Sequence, residues 1–524
     1  MSEASTSRDA VTSERVHYEW FPGGLVQDEL LIECSHLYSD HYGVRSLADP
    51  DRPGQRVRLS ADRLREWLQG SGSGIYLARV DGNLVGYAIA VQTKVQKYGN
   101  VAWVTQLVVH TDHRDRGIAK TLLYTIWGFS SFFAWGIVTA SPYAVRALEK
   151  ATRRRSSPAR IARNYRKLHS VGEEHVPYIH EETRVLVGGR ESRVFTQFYV
   201  DHSDIPVMIE AVTSPSTPWL MGELEEGWEW FAFTFQDQDP INLSTEEIES
   251  MLAASDDVTK LAYSRMNLSG AGQGWMRHTE YEVERILRYC DLAVGDSVLD
   301  LGCGTGRHCL ALGRRSITTL GVDYIDANVA EARRVGADLP SVTFEVGDCR
   351  TTDVGQFDAV LCLYDVIGSY ADDESNLRIL ENVARHTRPG GRALISVMNF
   401  ELTESQATRR FTFSSDPNAL LSLPASRTME RTGNVFNPDL YLVDPETRLV
   451  YRREQFVQGQ SLPVELIVRD RRYRAEEFRE ICRKVGLEVI WMRHVRAGSW
   501  DETLAPDDPS AKEILVLCKR PSVA

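Results

Sequence analysis

The sequence predicts an α/β protein in two parts: an α+β first half on a mainly antiparallel sheet, and a second half on a doubly wound parallel sheet with a β-rich insertion. Three observations predict this. Between Ile75 and Val109, strand-like runs follow one another across short turns, which is the pattern of an antiparallel meander. From Asp296 onwards, short apolar runs alternate with helix-compatible segments, which implies parallel strands joined by crossover helices. The chain, at 524 residues, also exceeds one ordinary core, since domains run to roughly 150 to 250 residues.

Composition narrows the class. Hydrophobic residues make up 43% and charged residues 25%, as in ordinary globular chains, and the formal net charge of −13 argues against a whole-surface attraction for nucleic acid. The eight cysteines stand singly, with no C-x-x-C pair and no His/Cys cluster at zinc spacing, so no metal site is expected and the thiols read as reduced and cytoplasmic. Residues 1–16 are polar, without an apolar signal core, and read as a disordered tail. Thr121 to Val138 carries no charge, but its glycines and Ser/Thr residues split it into a buried helix and a strand, not a membrane span.

The first half, residues 17–235, opens with IYLARV-DGN-LVGYAIAV, two strands about a turn at Asp81-Gly82-Asn83, and a third strand follows at Val101 to Val109. This strand delivers the loop Arg114-Asp-Arg-Gly-Ile-Ala119 into an apolar helix, an arrangement whose backbone N–H groups can cradle a pyrophosphate. The loop resembles the Q/R-x-x-G-x-G/A motif of the GNAT acetyltransferases, and the resemblance extends over about Tyr18 to Arg153. It implies that the loop from Arg114, with Arg116, Gly117 and Ala119, faces the pyrophosphate of acetyl-CoA. It also implies that Leu107 to Val109 pairs with the pantetheine arm. Two family positions differ. Leu148 stands where many members carry a proton-donating tyrosine, and Gln106 where a carboxylate often acts as base. An active acetyltransferase and a degenerate binding or homodimerising module therefore both stay open.

Arg153 to Lys167 gathers seven basic residues, readable as a solvated helical face or as a docking surface for coenzyme A phosphates, an acidic substrate or RNA. VFTQFYVDH and WEWFAFTF are further strand candidates that could complete the first sheet, with Trp219, Trp228 and Trp230 read as core. Residues 236–257 are polar and acidic and read as a linker, with Ser244-Thr-Glu-Glu opening a short helix.

The second half, residues 258–524, is organised around Val298 to Cys309, VLDLGCGTGRHC, where an apolar run ends in Asp300 and Gly302, Gly304 and Gly306 follow at alternate positions. Arg307 stands where a dinucleotide fingerprint needs its third glycine, so NAD is disfavoured. The D-x-G-x-G-x-G form resembles motif I of the class I S-adenosylmethionine (SAM) dependent methyltransferases, whose order of elements is matched along about Tyr263 to Lys519. The resemblance implies a Rossmann-like sheet and SAM contacts at successive strand ends. These are Asp300 with Gly302, Cys303, Gly304 and Gly306 at the methionine end, Asp323 with Tyr324 at the ribose, Asp348 with Cys349 at the adenine, and Leu363 after the fourth strand. Tyr263 and Arg265 lie in a segment that would fold over SAM as a lid. Asp365, His278 and Tyr370 are the candidate catalytic residues, Asp365 and His278 as bases for an amine acceptor, which must be neutral to attack. The motif L-Y-D-V-I-G-S-Y is not the D/N/S-P-P-Y/F/W of DNA amino-methyltransferases, and the expected acceptor is a small-molecule amine or hydroxyl compound. Residues 400–470, with the hairpin DLYLVDPETRLVYRREQFV, would roof the acceptor.

Overall fold

The computed structural model describes residues 15–265, 274–431, 434–456 and 464–522. It forms two compact units, the first ending at Leu261 and the second beginning at Ala262. The tail reading of residues 1–14 and the lid reading of residues 266–273 fall outside the described residues.

In the first unit β1 (His17–Pro22), α1 (Asp28–His41) and α2 (Ala61–Trp67) precede the meander of β2 (Ser73–Val80), β3 (Asn83–Val95) and β4 (Gly99–Val109). Asp81 and Gly82, with φ of 48° and 82°, make the two-residue turn between β2 and β3. Next come α3 (Ile118–Trp127), β5 (Ala134–Thr139), α4 (Pro142–Thr152), α5 (Pro158–His175), β6 (Val185–Val187), β7 (Ser192–Phe198), α6 (Ile205–Ala211), β8 (Gly227–Phe235) and α7 (Thr245–Arg265). The sheet runs β1-β2-β3-β4-β5-β8-β7-β6, antiparallel except between β4 and β5. That parallel pairing spans only Val101–Val104 against Ala134–Ile137, while β4 continues to Val109. The two strands therefore diverge, and the edge of β4 beyond Val104 is not paired to β5.

The uncharged stretch from Thr121 to Val138 is buried α3 followed by buried β5, and among the described residues no helix is long and apolar enough to cross a membrane. Part of the expected linker is helical. Ser244 and Glu247 exchange the two hydrogen bonds of a capping box, at 3.1 and 3.2 Å, and start α7. Ser250 then meets Thr121 at 3.0 Å and Ser255 meets Tyr124 at 2.8 Å, both on α3, so the apolar side of α7 packs within the first unit. An acidic, polar composition hid this because only one face of the helix is buried.

The second unit places α8 (Thr279–Cys290), β9 (Ser297–Leu301), α9 (Arg307–Gly313), β10 (Thr318–Asp323), α10 (Asp326–Val335), β11 (Val342–Val346), β12 (Phe357–Cys362), α11 (Asp373–His386) and β13 (Thr387–Met398) in strict alternation. After α12 (Phe400–Gln406) come β14 (Ala425–Ser426), α13 (Thr428–Arg431), β15 (Tyr441–Asp444), β16 (Leu449–Phe456) and β17 (Val464–Arg471), whose strands form a separate four-stranded sheet. Then α14 (Ala475–Lys484), β18 (Glu488–Arg496), β19 (Ser499–Leu504) and β20 (Glu513–Lys519) return to the main sheet. Its order is β11-β10-β9-β12-β13-β20-β18-β19, parallel from β11 to β13, with β20 antiparallel between β13 and β18. Apolar clusters cover both faces, as a parallel sheet requires. The strand order reverses between β9 and β12, and in such sheets ligands bind at the carboxyl ends of the strands on either side of that point. All eight cysteines are buried free thiols.

Candidate functional site

The glycine turn leaves the end of β9 at the switch point. Gly302 has φ of +78°, and a Cβ there would stand 2.3 Å from Val366, so only glycine fits. Gly304, with φ of +56°, has open space where its Cβ would be. The turn's own N–H groups are largely used: Gly302 and Cys303 both donate to the Val322 carbonyl, at 2.8 and 3.0 Å, and Gly306 donates to Cys303 at 3.0 Å. The turn thus offers close approach, with most of its N–H groups engaged within the protein.

At the end of β10, Asp323 accepts the Gly304 N–H on Oδ2 and the Ile325 N–H on Oδ1, both at 2.9 Å. Burial raises its carboxyl and these backbone donors oppose the rise. A carboxylate fixed beside an open glycine suits a vicinal diol, and Tyr324, 44% exposed, presents a ring at the same edge. Asp300 is 3% exposed and turned inward: Cys309 Sγ lies 3.7 Å from its Oδ2. Asp348 is engaged by Arg350, whose backbone N–H and guanidinium donate to it and whose guanidinium lies 4.6 Å from the Tyr370 ring centroid. An adenine amino group at Asp348 would therefore share the carboxylate with Arg350. Cys349 and Leu363 are buried in the adjoining core. These residues fit a nucleoside cofactor of the SAM kind, with Asp323 the carboxylate most firmly held by the turn.

Beyond β12 the backbone takes an unusual course. Tyr364 and Asp365 are consecutive non-glycine residues with φ of 61° and 66°, a conformation that persists only where surroundings enforce it. The Tyr364 N–H donates to Ser396 Oγ at 2.8 Å, and its hydroxyl donates to Glu282. Fully buried Glu282, on α8, also accepts from Arg307 at 2.6 Å and lies 3.0 Å from His308 Nε2. Burial opposes charge on Glu282, but His308, Arg307 and Tyr364 outweigh it and hold the carboxyl below its usual range. Glu513, opening β20, is 8% exposed, and its Oε2 is buried without a hydrogen-bond partner among the described residues. Burial first, then the charges of Asp365 and Glu282, push its carboxyl up to about 8. Asp365 is raised to about 7, by burial first and then by Asp470, against Arg472 and Arg452. Two acids that exchange protons near neutrality thus flank the strand end.

Of the expected catalytic residues, Asp365 lies in this cluster, Tyr370 stands with Arg350 and Asp348, and the His278 ring fills the space over Gly498 between β18 and β19. Tyr263 and Arg265 lie on the last turn of α7, with side chains outside the described residues. Sequence reading missed Glu282, His308 and Glu513. The available signal for Glu282 was a charge on the face of α8 that otherwise carries buried Val283, Ile286 and Cys290.

In the first unit, Gly117 caps α3 with φ of 76°. Arg114, Arg116 and Gly117 are exposed and Ala119 is half-buried beside them. Arg114 is turned back, donating to Val109 O at 3.3 Å and His41 O at 2.5 Å, and Arg116 meets His113 Nδ1 at 2.9 Å. Leu107 and Val109 lie on the part of β4 that has diverged from β5. Leu148 is fully buried in α4, and Gln106 accepts from the Tyr87 hydroxyl at 2.8 Å. The basic cluster is largely satisfied internally: Arg153 donates to Ile241 O at 3.2 Å, Arg154 to Thr152 O at 2.7 Å, Arg155 pairs with Glu149 at 3.3 Å, and Lys167 lies 3.7 Å from the Tyr98 ring centroid.

The first unit is thus a diverging, mainly antiparallel sheet with a glycine-capped loop, and the second a doubly wound sheet with a glycine turn at its switch point. Residues 41–138 match the acetyltransferase (GNAT) family and residues 298–391 match a methyltransferase domain family. The chain thus joins a GNAT-family domain to a methyltransferase domain, in that order. One curated relative, dTDP-4-amino-2,3,4,6-tetradeoxy-D-glucose N,N-dimethyltransferase of Saccharopolyspora spinosa, is 33% identical over 129 residues, 24% of this chain and 49% of that protein. The cypemycin N-terminal methyltransferase of a Streptomyces species is 26% identical over 231 residues, 43% of this chain and 84% of that protein. The ubiquinone biosynthesis O-methyltransferase of Pseudomonas aeruginosa strain LESB58 is 32% identical over 111 residues, 20% of this chain and 45% of that protein. The chain spans about half the length of the first and third of these relatives.

Proposed function

We propose that the second unit is a SAM-dependent methyltransferase acting on a small-molecule amine, and that the first unit transfers an acetyl group from acetyl-CoA, making the chain bifunctional. The observation that carries the amine reading is the pair Asp365 and Glu513, raised to about 7 and 8 beside the end of β12. The relatives described above are named as an N,N-dimethyltransferase, an N-terminal methyltransferase and an O-methyltransferase, so the carboxylates, not the comparisons, favour nitrogen.

Bound SAM supplies a methyl group on a positively charged sulfur that departs as a neutral thioether. The work left to the chain is to bind, align and deprotonate. Asp323 and the open face of Gly304 hold the ribose, with Tyr324 against the base. Asp365 and Glu513 attract the acceptor ammonium and take its proton, so that a neutral nitrogen faces the methyl group. Glu282, fixed by Arg307, His308 and Tyr364, keeps the Tyr364-Asp365 turn in its strained form.

Calorimetry with SAM and product analysis on an amine series with matched alcohols test this reading. Asp323→Ala is expected to weaken SAM at least tenfold; unchanged affinity would remove the ribose role. Methyl transfer to the amine is expected to rise with pH through about 7 to 8, and preferential methylation of the alcohol would sink the amine reading. A docking surface for RNA at Arg153 to Lys167 is not favoured, because four of these seven side chains are held by groups of the first unit.

A further inference from the structure

Three imidazoles gather beside the loop that leads into α3. His41 ends α1, and His110 and His113 lie in the turn that follows β4. The His41 and His110 ring centroids are 3.7 Å apart, and His113 stands edge-on to His110 at 5.5 Å. In each ring Nδ1 faces a donor of the loop. His41 Nδ1 accepts the Thr111 N–H at 3.4 Å, with the Thr111 hydroxyl 3.1 Å away, and His110 Nδ1 accepts the Asp112 N–H at 3.2 Å. His113 Nδ1 accepts from the Arg116 guanidinium, which has only donors to offer, at 2.9 Å. All three neutral rings therefore carry their proton on Nε2.

That tautomer decides what the cluster can hold. A metal needs an outward lone pair and an inner nitrogen that donates; here the inner nitrogens accept, so the outer ones are N–H groups. Among the described residues no three His, Cys, Asp or Glu are grouped to hold a metal. The hydrogen bonds of the loop use Nδ1 alone, and none of the three Nε2–H groups meets an acceptor among the described residues. The Asp112 carboxylate lies 3.9 Å from His110 Nδ1, on the side away from that ring's donor. Neutral donors without acceptors, in one loop with Arg114 and Arg116, suit an anion.

The adjoining turn is built for an anion too. The N–H groups of Ile118, Ala119 and Lys120 open α3 without acceptors among the described residues. The Lys120 side chain, 8% exposed and without an ion pair among those residues, brings Nζ to 4.0 Å from where a Cβ on Gly117 would stand. Residues 110–120 thus hold two neighbouring donor sets, one of imidazoles and one of backbone N–H groups with a lysine.

We infer that His41, His110 and His113 form a site for a phosphate monoester, and that its occupant is the 3′-phosphate on the ribose of coenzyme A. A coenzyme whose pyrophosphate lies on the α3 turn carries that monoester on the neighbouring ribose, so the two donor sets take two parts of one molecule. The site stands on the hydrogen bonding of the loop; its occupant rests on the acetyl-CoA reading above. It makes and breaks no covalent bond. Its effect is to select coenzyme A over the form that lacks the 3′-phosphate.

The test measures binding of coenzyme A and of 3′-dephospho-coenzyme A to the intact protein by calorimetry. Wild type is expected to bind coenzyme A at least tenfold tighter. Asparagine places its amide near the position of Nδ1 and nothing at Nε2. The double variant His41→Asn/His110→Asn therefore keeps acceptors for the loop, and is expected to cut the preference to about threefold or less. Glutamine reaches the position of Nε2, so His41→Gln/His110→Gln is expected to keep part of it. Equal binding of the two compounds by wild type, or an undiminished preference in the asparagine variant, would overturn the inference and leave the pyrophosphate reading of the loop standing. Binding of neither compound would overturn the acetyl-CoA reading, and inorganic phosphate then decides the site. In long-range proton–nitrogen spectra of histidine-labelled protein, the three rings are expected to show the Nε2–H tautomer and to shift with inorganic phosphate but not with chloride at equal ionic strength. Such shifts without coenzyme binding keep the phosphate site and overturn its occupant; unmoved signals or an Nδ1–H tautomer overturn the site itself. Should the variants fail to fold, the wild-type affinities and spectra decide alone.

Discussion

Asp365 and Glu513 keep their protons in the folded chain to about pH 7 and 8, whereas unfolded carboxyls lose them near ~4. Between those limits the folded state binds more protons than the unfolded state, so the contribution of these groups to stability falls as pH rises through the window. Glu513→Gln, which keeps the shape and removes the charge, is expected to stabilise the second unit at pH 8.5 by on the order of 1 to 3 kcal/mol, and much less at pH 4.5. Thermal melts at the two values check this, and an equal effect at both would contradict it. The same variant is expected to slow methyl transfer by about 10²-fold or more. Such residues are hard to see in a sequence. Asp323 was legible because it ends an apolar run at a set place after a glycine turn. Glu282 and Glu513 are single acids within an apolar helix face and an apolar strand, and their meaning comes from neighbours far away in the chain.

The glycine turn between β9 and α9 separates two duties that the sequence shows as one motif. At Gly302, both φ of +78° and a Val366 methyl 2.3 Å from the added Cβ oppose any side chain. Gly302→Ala is expected to cost about 2 to 4 kcal/mol in urea unfolding, through strain and overpacking. Gly304 meets nothing, so Gly304→Ala carries only the conformational cost, about 1 kcal/mol. If Gly304 faces the cofactor, its alanine variant folds yet loses SAM binding by tenfold or more, as calorimetry would show; retained affinity would move the cofactor off this residue. The meander of β2 to β4 and the alternation from β9 to β13 were legible because hydrophobic period and turn chemistry agree there. The start of helix α7 was legible in Ser244-Thr-Glu-Glu, but its 21-residue length was not, since its apolar stripe is interleaved with Glu246, Glu247, Asp256 and Asp257.

Each of the two units has its own buried core. Heating is therefore expected to give two calorimetric transitions, with SAM raising one and acetyl-CoA the other, because a ligand stabilises only the body that binds it. A single transition raised by both ligands would show that the units unfold as one. The order of the two units was legible from two loops and their strand contexts, and α7 continues through the point of division. Finally, every native thiol is shut away: burial pushes Cys290 and Cys349 up to about 12, and Cys303, Cys309 and Cys362 well above their usual range. A maleimide dye should leave the native chain unmarked. Single cysteines placed at Leu47, 85% exposed, and Val294, 79% exposed, would then take a donor and an acceptor dye without removal of any natural cysteine, and energy transfer between them would report the separation of the two halves in solution.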